Sequence, residues 1–128
     1  ATDLDENVIQ KAKLGLYPER SLVEVPKDVQ AKYFQKEGPF YKVNDEIKRT
    51  VTFKKHNLLK DSYESNFDLI VCRNVMIYFT EEAKDKIYEN FSKSLRPGGI
   101  LFVGSTEQIF NPSRYGFEVE DTFFYRKK

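Results

Sequence analysis

The sequence predicts an α/β fold built on a doubly wound, mainly parallel sheet, and three neighbouring segments carry this prediction. Residues Phe67–Cys72 are apolar at nearly every position, which is typical of a parallel strand covered on both faces. After a suitable N-cap at Thr80, apolar residues recur every four positions and predict one amphipathic helix, at Ala83, Ile87, Phe91 and Leu95. A Pro-Gly-Gly turn at 97–99 ends that helix and leads into a second apolar run at 100–104. Strand, helix and strand with a tight turn form the repeating unit of such sheets.

The flanking segments predict shorter elements. Asp5 is a suitable N-cap for a helix that Gly15 ends. Pro26 predicts the start of a short helix with Phe34 on its apolar side. We expect a turn at Gly38, because a proline follows it. Further strands are expected at 40–43, 51–53, 117–119 and 122–126, with the last two paired.

Composition narrows the class of protein. The 128 residues, 40% hydrophobic and 32% charged, suit one globular domain or part of one. A formal net charge of +1 argues against nucleic-acid binding by bulk charge. The only cysteine, Cys72, allows no intrachain disulfide and no multi-cysteine zinc site, and we expect no metal. No apolar run approaches the ~18 residues of a membrane helix, so we expect a cytoplasmic protein without membrane insertion. The chain lacks an initiator Met, and we expect that it is truncated at its amino terminus.

Polar residues that follow the predicted strands are candidates for a ligand site, because ligands of doubly wound sheets lie beyond the carboxyl ends of the strands. Asp3 offers a carboxylate for the hydroxyls of a ribose, or it is an ordinary cap. Asn57 offers an amide for the edge of adenine with Leu58 as an apolar face, or it is a turn asparagine. The only histidine, His56, is more typical of a loop than of a catalytic base.

The most unusual stretch is 72–79, Cys-Arg-Asn-Val-Met-Ile-Tyr-Phe, because a charge and an amide follow a buried strand directly. Arg73 suits a carboxylate partner, and the hydroxyl of Tyr78 suits a place near a reacting centre. A structural arginine with core aromatics is the alternative. Cys72 is more typical of a buried thiol than of a nucleophile.

Together these segments resemble the CheR family of chemotaxis receptor methyltransferases. The resemblance rests on Ala-Thr-Asp-Leu-Asp at 1–5, Asn-Leu-Leu at 57–59, residues 67–79, the Pro-Gly-Gly turn and Gly-Ser-Thr-Glu at 104–107. It covers nearly the whole chain and identifies residues 1–128 as the carboxyl-terminal part of an S-adenosylmethionine-dependent methyltransferase domain. It implies a Rossmann-like sheet lacking its first strand, with a small inserted α/β subdomain at 17–47.

The resemblance implies transfer of a methyl group from S-adenosylmethionine to glutamate side chains of methyl-accepting chemotaxis receptors, with S-adenosylhomocysteine as the product. By motif position, Asp3 holds the ribose, while Asn57 and Leu58 border the adenine. The remaining roles are cofactor binding by Arg73 and Asn74, and catalysis by Tyr78 and Arg73. A non-catalytic module that senses cofactor or docks a partner, and a small-molecule methyltransferase of the same fold, remain alternatives.

Two departures from the family pattern lead to further expectations. The family's first strand and glycine-rich loop are absent, so the chain alone should be inactive, and its unpaired strand edges should make it dimerise, exchange strands or be unstable. The loop around Gly38 is also shorter than in members that bind a receptor's carboxyl-terminal tether peptide. Tether binding by this chain is therefore expected to be weak or absent.

Overall fold

The computed structural model describes all 128 residues and divides into two compact units, Ala1–Asn57 and Leu58–Lys128. No helix in either unit combines the length and the apolar character needed to cross a bilayer. Each unit has its own sheets, and each is described separately.

The first unit begins with a parallel strand pair. Strand β1 (Thr2–Asp3) pairs with β5 (Lys54–Lys55), and helix α1 (Glu6–Leu14) follows β1. The side chain of Asp5 caps α1 by accepting a hydrogen bond from the Asn7 N–H at 2.8 Å. Gly15 ends the helix in the left-handed conformation, with φ 66°. Both ends of this helix are therefore where the sequence predicts them.

A small antiparallel sheet forms the rest of this unit. Strands β2 (Leu16–Pro18), β3 (Phe34–Glu37) and β4 (Phe40–Val43) are arranged in the order β2-β4-β3. A 3-10 turn at Glu19–Leu22, helix α2 (Lys27–Tyr33) and helix α3 (Asp45–Lys48) connect and flank them. Gly38, with φ 57°, and the proline after it form the two-residue turn between β3 and β4.

The second unit contains a four-stranded sheet in the order β6-β7-β9-β8. Strands β6 (Phe67–Cys72) and β7 (Leu95–Val103) are parallel, while β8 (Phe117–Asp121) and β9 (Phe124–Lys127) are antiparallel additions at one side. Helix α4 (Glu81–Ser94) crosses over from β6 to β7, and the Thr80 side chain caps it through the Ala83 N–H at 3.2 Å. Two 3-10 turns complete the unit, at Met76–Tyr78 and Pro112–Tyr115.

The core of the second unit lies on one face of this sheet. The predicted stripe of α4 is buried at Ile87 and Phe91, and Leu95 continues it at the start of β7. These side chains pack with buried residues of the strands, including Leu101, Val103, Phe117 and Tyr125. The strand–helix–strand arrangement predicted from the sequence is therefore present.

Two predictions about β6 and β7 are wrong in detail. β6 is not covered on both faces, because Leu69 is 53% exposed and Val71 59% exposed, while Cys72 on the other face is buried. The helical stripe packs against one face of the sheet, and an apolar run does not reveal whether the other face has a neighbour. The Pro-Gly-Gly turn does not end the helix either, since α4 ends at Ser94 and β7 already begins at Leu95.

Two predicted bounds in the first unit also differ. Residues 51–53 are not a strand, because the ladder with β1 pairs Thr2 with Lys54 and Asp3 with Lys55. The strand therefore lies three residues later than the apolar triplet suggests. Phe34 belongs to β3 rather than to the helix that follows Pro26, and its backbone is extended with φ −127° and ψ 148°.

Candidate active site

The loops that follow β6 and β7 lie next to each other, because the two strands are parallel neighbours. Cys72 is paired with Val103 at the ends of the two strands, so the segment that begins at Arg73 lies beside the segment that begins at Gly104. This edge is where a doubly wound sheet binds its ligand.

The carboxylate of Glu107 joins these two loops. The residue is only 2% exposed, yet its carboxylate accepts hydrogen bonds from four backbone N–H groups. Oε1 accepts from Asn74 and, at 3.2 Å, from Gly104. Oε2 accepts from Val75 at 3.2 Å and from Met76 at 2.7 Å. A buried charge with this many donors is well compensated.

The backbone of the β6 loop is shaped to bind an anion. Asn74 is left-handed, with φ 60°, and Val75 is right-handed helical, with φ −109° and ψ −39°. Consecutive residues of opposite hand turn their N–H groups toward one point and form an anion-binding concavity. The 3-10 turn that starts at Met76 has no side-chain cap from its own preceding residue, so Glu107 serves as its cap.

Glycine at position 104 makes room for this arrangement. A Cβ atom there would lie 2.5 Å from Oε1 of Glu107 and 2.8 Å from Oδ1 of Asn74. Both distances are shorter than real Cβ contacts, so any other residue would displace the carboxylate or the loop.

Arg73 contacts an aromatic ring on the face of the sheet that lies opposite the core. Its guanidinium carbon lies 4.5 Å from the centre of the Phe102 ring, and Phe102 in turn stacks on Phe124 with ring centres 4.3 Å apart. A cation over an aromatic face is attracted by the ring quadrupole. The side chain is exposed, so its cationic group remains accessible to a ligand.

The 3-10 turn separates a buried anchor from an exposed tyrosine. Met76 is completely buried, whereas Tyr78 is 86% exposed. Leu58, also in this unit, packs against the core, and its carbonyl accepts a hydrogen bond from the Tyr63 hydroxyl at 2.8 Å. The structure thus brings Arg73, Asn74 and Tyr78 together on one loop and gives Leu58 a packing role.

The two remaining predicted residues, Asp3 and Asn57, belong to the first unit. Asp3 is the last residue of β1 and Asn57 lies two residues after β5, and the N–H of His56 donates to the carbonyl of Asp3 at 3.0 Å. They therefore share the carboxyl end of that strand pair. The Oδ1 atom of Asp3 also accepts from the N–H of Asp5 at 2.9 Å, so this exposed carboxylate orders its own turn.

Cys72 is a buried free thiol, as the sequence suggests. Burial, and to a smaller extent the charge of Glu107, raise its pKa to about 12. The thiol is therefore protonated at neutral pH and unsuited to nucleophilic attack. Burial likewise raises the pKa of Tyr88, whose hydroxyl donates to the main-chain carbonyl of Glu107 at 3.2 Å.

Sequence reasoning missed the role of Glu107. In the sequence, Glu107 is only the last residue of the Gly-Ser-Thr-Glu motif, and no function is assigned to it. The sequence did carry a signal, since an acidic residue lies three positions after Gly104, just beyond a predicted buried strand. Burial of a charge at such a place is costly unless hydrogen-bond donors surround it. The donors themselves are backbone groups, which a sequence does not display.

Comparison with known proteins identifies the family of the chain. Residues 1–124 match the family described as CheR methyltransferase, SAM binding domain. The chain is 44% identical over 127 residues to a chemotaxis protein methyltransferase of Listeria innocua, a match covering 99% of this chain and 48% of that protein. It is 37% identical over 112 residues to a chemotaxis protein methyltransferase of Borreliella burgdorferi, covering 85% of this chain and 40% of that protein. The chain therefore spans about half the length of the curated relatives it matches.

A solved structure supports the fold. The crystal structure of a TehB-like SAM-dependent methyltransferase from Corynebacterium glutamicum has a TM-score of 0.54 to this chain at 20% identity, covering 98% of this chain and 63% of that one. At this identity the similarity concerns the fold alone, and it confirms the predicted Rossmann-like α/β class.

Proposed function

Since the chain belongs to the CheR methyltransferase family, as the motifs predicted, we propose that it forms the S-adenosylmethionine-binding part of a protein-glutamate methyltransferase. The term parent protein denotes the natural protein to which this chain belongs. The parent protein transfers a methyl group from S-adenosylmethionine to glutamate side chains of methyl-accepting chemotaxis receptors in the cytoplasm. S-adenosylhomocysteine is the product.

One observation carries the proposal: the loop after β6 is fixed at the ligand-binding edge of the sheet by a buried carboxylate, and it presents Arg73, Asn74 and Tyr78. The chemistry of these side chains suits the cofactor. A guanidinium matches an amino-acid carboxylate, and the carboxylate of Asp3 matches the hydroxyls of a ribose. The amide of Asn57 can donate to and accept from an adenine edge.

Little general-base chemistry is required of this chain. S-adenosylmethionine, when bound, supplies a methyl group that its sulfonium already activates. A glutamate carboxylate is ionised at neutral pH and is itself the nucleophile. The residues of the chain therefore act mainly by positioning, which can contribute about 7–11 kcal/mol to lowering a barrier. Arg73 would hold the carboxylate of the cofactor, and the exposed hydroxyl of Tyr78 would lie on the side of the methyl group.

Calorimetric titration of the parent protein with S-adenosylhomocysteine tests the proposed role of Asp3 in cofactor binding. Asp3→Ala should weaken binding by roughly 10-fold or more, because a charge-assisted contact is lost. Asp5→Ala is the matched control, since Asp5 is also an exposed aspartate that accepts one backbone N–H. Equal affinity of the two variants would exclude a ribose contact for Asp3.

Transfer of a labelled methyl group to a chemoreceptor by the parent protein tests the reaction. Labelled glutamyl ester on the receptor is the expected result, and Tyr78→Phe should reduce it strongly while cofactor affinity changes little. Cofactor binding without any transfer would instead favour the non-catalytic, cofactor-sensing module. Transfer only to a small molecule would overturn the receptor substrate.

The isolated chain is also proposed to associate with itself. β6 has β7 as its only strand neighbour, and apolar side chains of β6 are exposed beside this open edge. An open apolar edge strand readily pairs with another chain. Light scattering after size-exclusion chromatography should show dimers or larger species of the 128-residue chain. A monodisperse monomer that melts cooperatively would contradict this.

Residues 17–47 are proposed as an inserted subdomain with little affinity for receptor tether peptides. The turn between β3 and β4 has only two residues, so it offers no extended loop to enclose a peptide. Titration of the parent protein with a peptide of the receptor's carboxyl terminus should give no saturable signal. Measurable affinity would overturn the proposal.

A further inference from the structure

We propose that Glu107 is a positioning residue for methyl transfer, which acts by holding the backbone of residues 74–76 in the conformation that presents Arg73 and Tyr78. This inference rests on the proposed function, because it assigns those two side chains to the reaction. It adds a residue to the site that touches neither cofactor nor substrate.

The bonding of the carboxylate defines this role. Two carboxylate oxygens have about four acceptor positions, and here the four are taken by the N–H groups of Asn74, Val75, Met76 and Gly104. No acceptor position remains for a proton from the substrate. Glu107 therefore cannot serve as a general base while the loop keeps this conformation.

The conformation of the loop depends on the anion. A left-handed asparagine is uncommon, and the converging N–H groups of residues 74–76 would be left buried or half-buried without an acceptor. The Glu107 carboxylate accepts hydrogen bonds from these N–H groups. The main-chain carbonyl of Glu107 in turn accepts a hydrogen bond from the Tyr88 hydroxyl. Arg73 immediately precedes this concavity, and Tyr78 lies two residues beyond it. A change in the concavity therefore moves both side chains.

The variant Glu107→Gln tests the inference. The amide has nearly the same shape, but it replaces one acceptor oxygen with an NH₂ donor that faces two N–H groups. Glu120→Gln is the matched control: Glu120 lies on β8, and its Oε2 atom is 3.3 Å from Nε of Arg126, away from the loop. Both variants are made in the parent protein and assayed for steady-state methyl transfer and for amide hydrogen exchange.

The expected result combines kinetics and exchange. Glu107→Gln should lower kcat by about 100-fold, as misplacement of reacting groups by about 1 Å can do. It should also raise the KM for S-adenosylmethionine by roughly 10-fold, because Arg73 and Asn74 move with the loop. The amides of residues 74–76 should exchange faster than in the wild type, and Glu120→Gln should change none of these quantities.

A merely structural role gives a different result. Partial unfolding would lower the apparent kcat in proportion to the lost protein and leave the KM unchanged, which would overturn the inference. Unchanged exchange at residues 74–76 would overturn it as well. If Glu107→Gln does not fold, Glu107→Asp replaces it, because aspartate keeps the charge but is one methylene shorter. A lower kcat, a higher KM and faster exchange in Glu107→Asp then support the inference. Wild-type kinetics in this variant overturn it.

The proposed function can fail separately. If the wild-type parent protein binds no S-adenosylhomocysteine and transfers no methyl group, the proposed function and the catalytic purpose of the loop both fall. If the wild type is active and Glu107→Gln retains its kcat and KM, only the role of Glu107 falls. The exchange measurement reports on the loop in either case.

Discussion

Asp3 at the end of β1 and Glu107 in the loop after β7 each order the turn beside them, but in different ways. Asp3 is exposed and accepts one backbone N–H, from Asp5 two residues later. Glu107 is buried and accepts four, three of them from residues 31 to 33 positions earlier in the chain. The first is a local contact of one turn, and the second is a long-range contact that joins two loops.

The difference indicates which carboxylate is free for a ligand. Asp3 is exposed to water and can exchange solvent for a ribose at small cost. Glu107 has exchanged its hydration for fixed donors, so removing it leaves several polar groups without a partner. A carboxylate of the first kind suits cofactor binding, and one of the second kind suits organisation of the loop.

The largest expected effect comes from Gly104→Ala, which disturbs Glu107 without altering it. The added Cβ would lie 2.5 Å from the carboxylate, and overpacking of this kind costs about 1–3 kcal/mol of unfolding free energy. Urea unfolding followed by tyrosine fluorescence measures the loss. In the parent protein, Gly104→Ala should lower the rate of methyl transfer, as Glu107→Gln does.

Gly38→Ala is the control for this glycine substitution. Gly38 has a left-handed φ of 57°, but an added Cβ meets no atom within 4 Å. Its cost is therefore limited to backbone strain of about 1–2 kcal/mol, with no effect on methyl transfer. If Gly104→Ala leaves activity intact, the close contact with the carboxylate is not essential, and the distinction between the two carboxylates weakens.

A smaller effect is expected for Asp3→Asn. The side-chain oxygen of asparagine can still accept the Asp5 N–H in the same turn, so unfolding free energy should change by no more than about 0.5 kcal/mol. Cofactor affinity should nevertheless fall, since the charge is lost. A stability loss as large as that of Gly104→Ala, measured by the same urea titration, would show that Asp3 is structural after all.

The same contrast explains what the sequence could predict. The caps at Asp5 and Thr80 and the stripe through Ile87 depend on residues within a few positions, and all three are present as predicted. The open face of β6 and the contacts of Glu107 depend on which segments become neighbours. Backbone N–H groups have no residue identity, so no pattern of letters reveals a concavity made from them.

The smallest expected effect is electrostatic and concerns Cys72. The pKa of this thiol is raised from 9.0 to about 12, mainly by burial and in smaller part by the charge of Glu107. Glu107→Gln should therefore lower this pKa only in part, while Asp3→Asn should leave it unchanged. The ¹³Cβ shift of the cysteine, followed by NMR during an alkaline titration, measures the value without interference from the eight tyrosines, because the chain has a single cysteine.

The raised pKa also makes stability depend on pH. The folded state keeps a proton that the unfolded chain releases above pH 9.0, so the contribution of the protonated thiol is complete below that pH and is lost as the pH rises toward 12. Tyr63, with its pKa raised to about 12 mainly by burial, acts in the same direction. Urea unfolding at increasing alkaline pH should show a shallower decline for Glu107→Gln than for Asp3→Asn. Equal slopes would mean that neither Cys72 nor Tyr88 senses the buried charge.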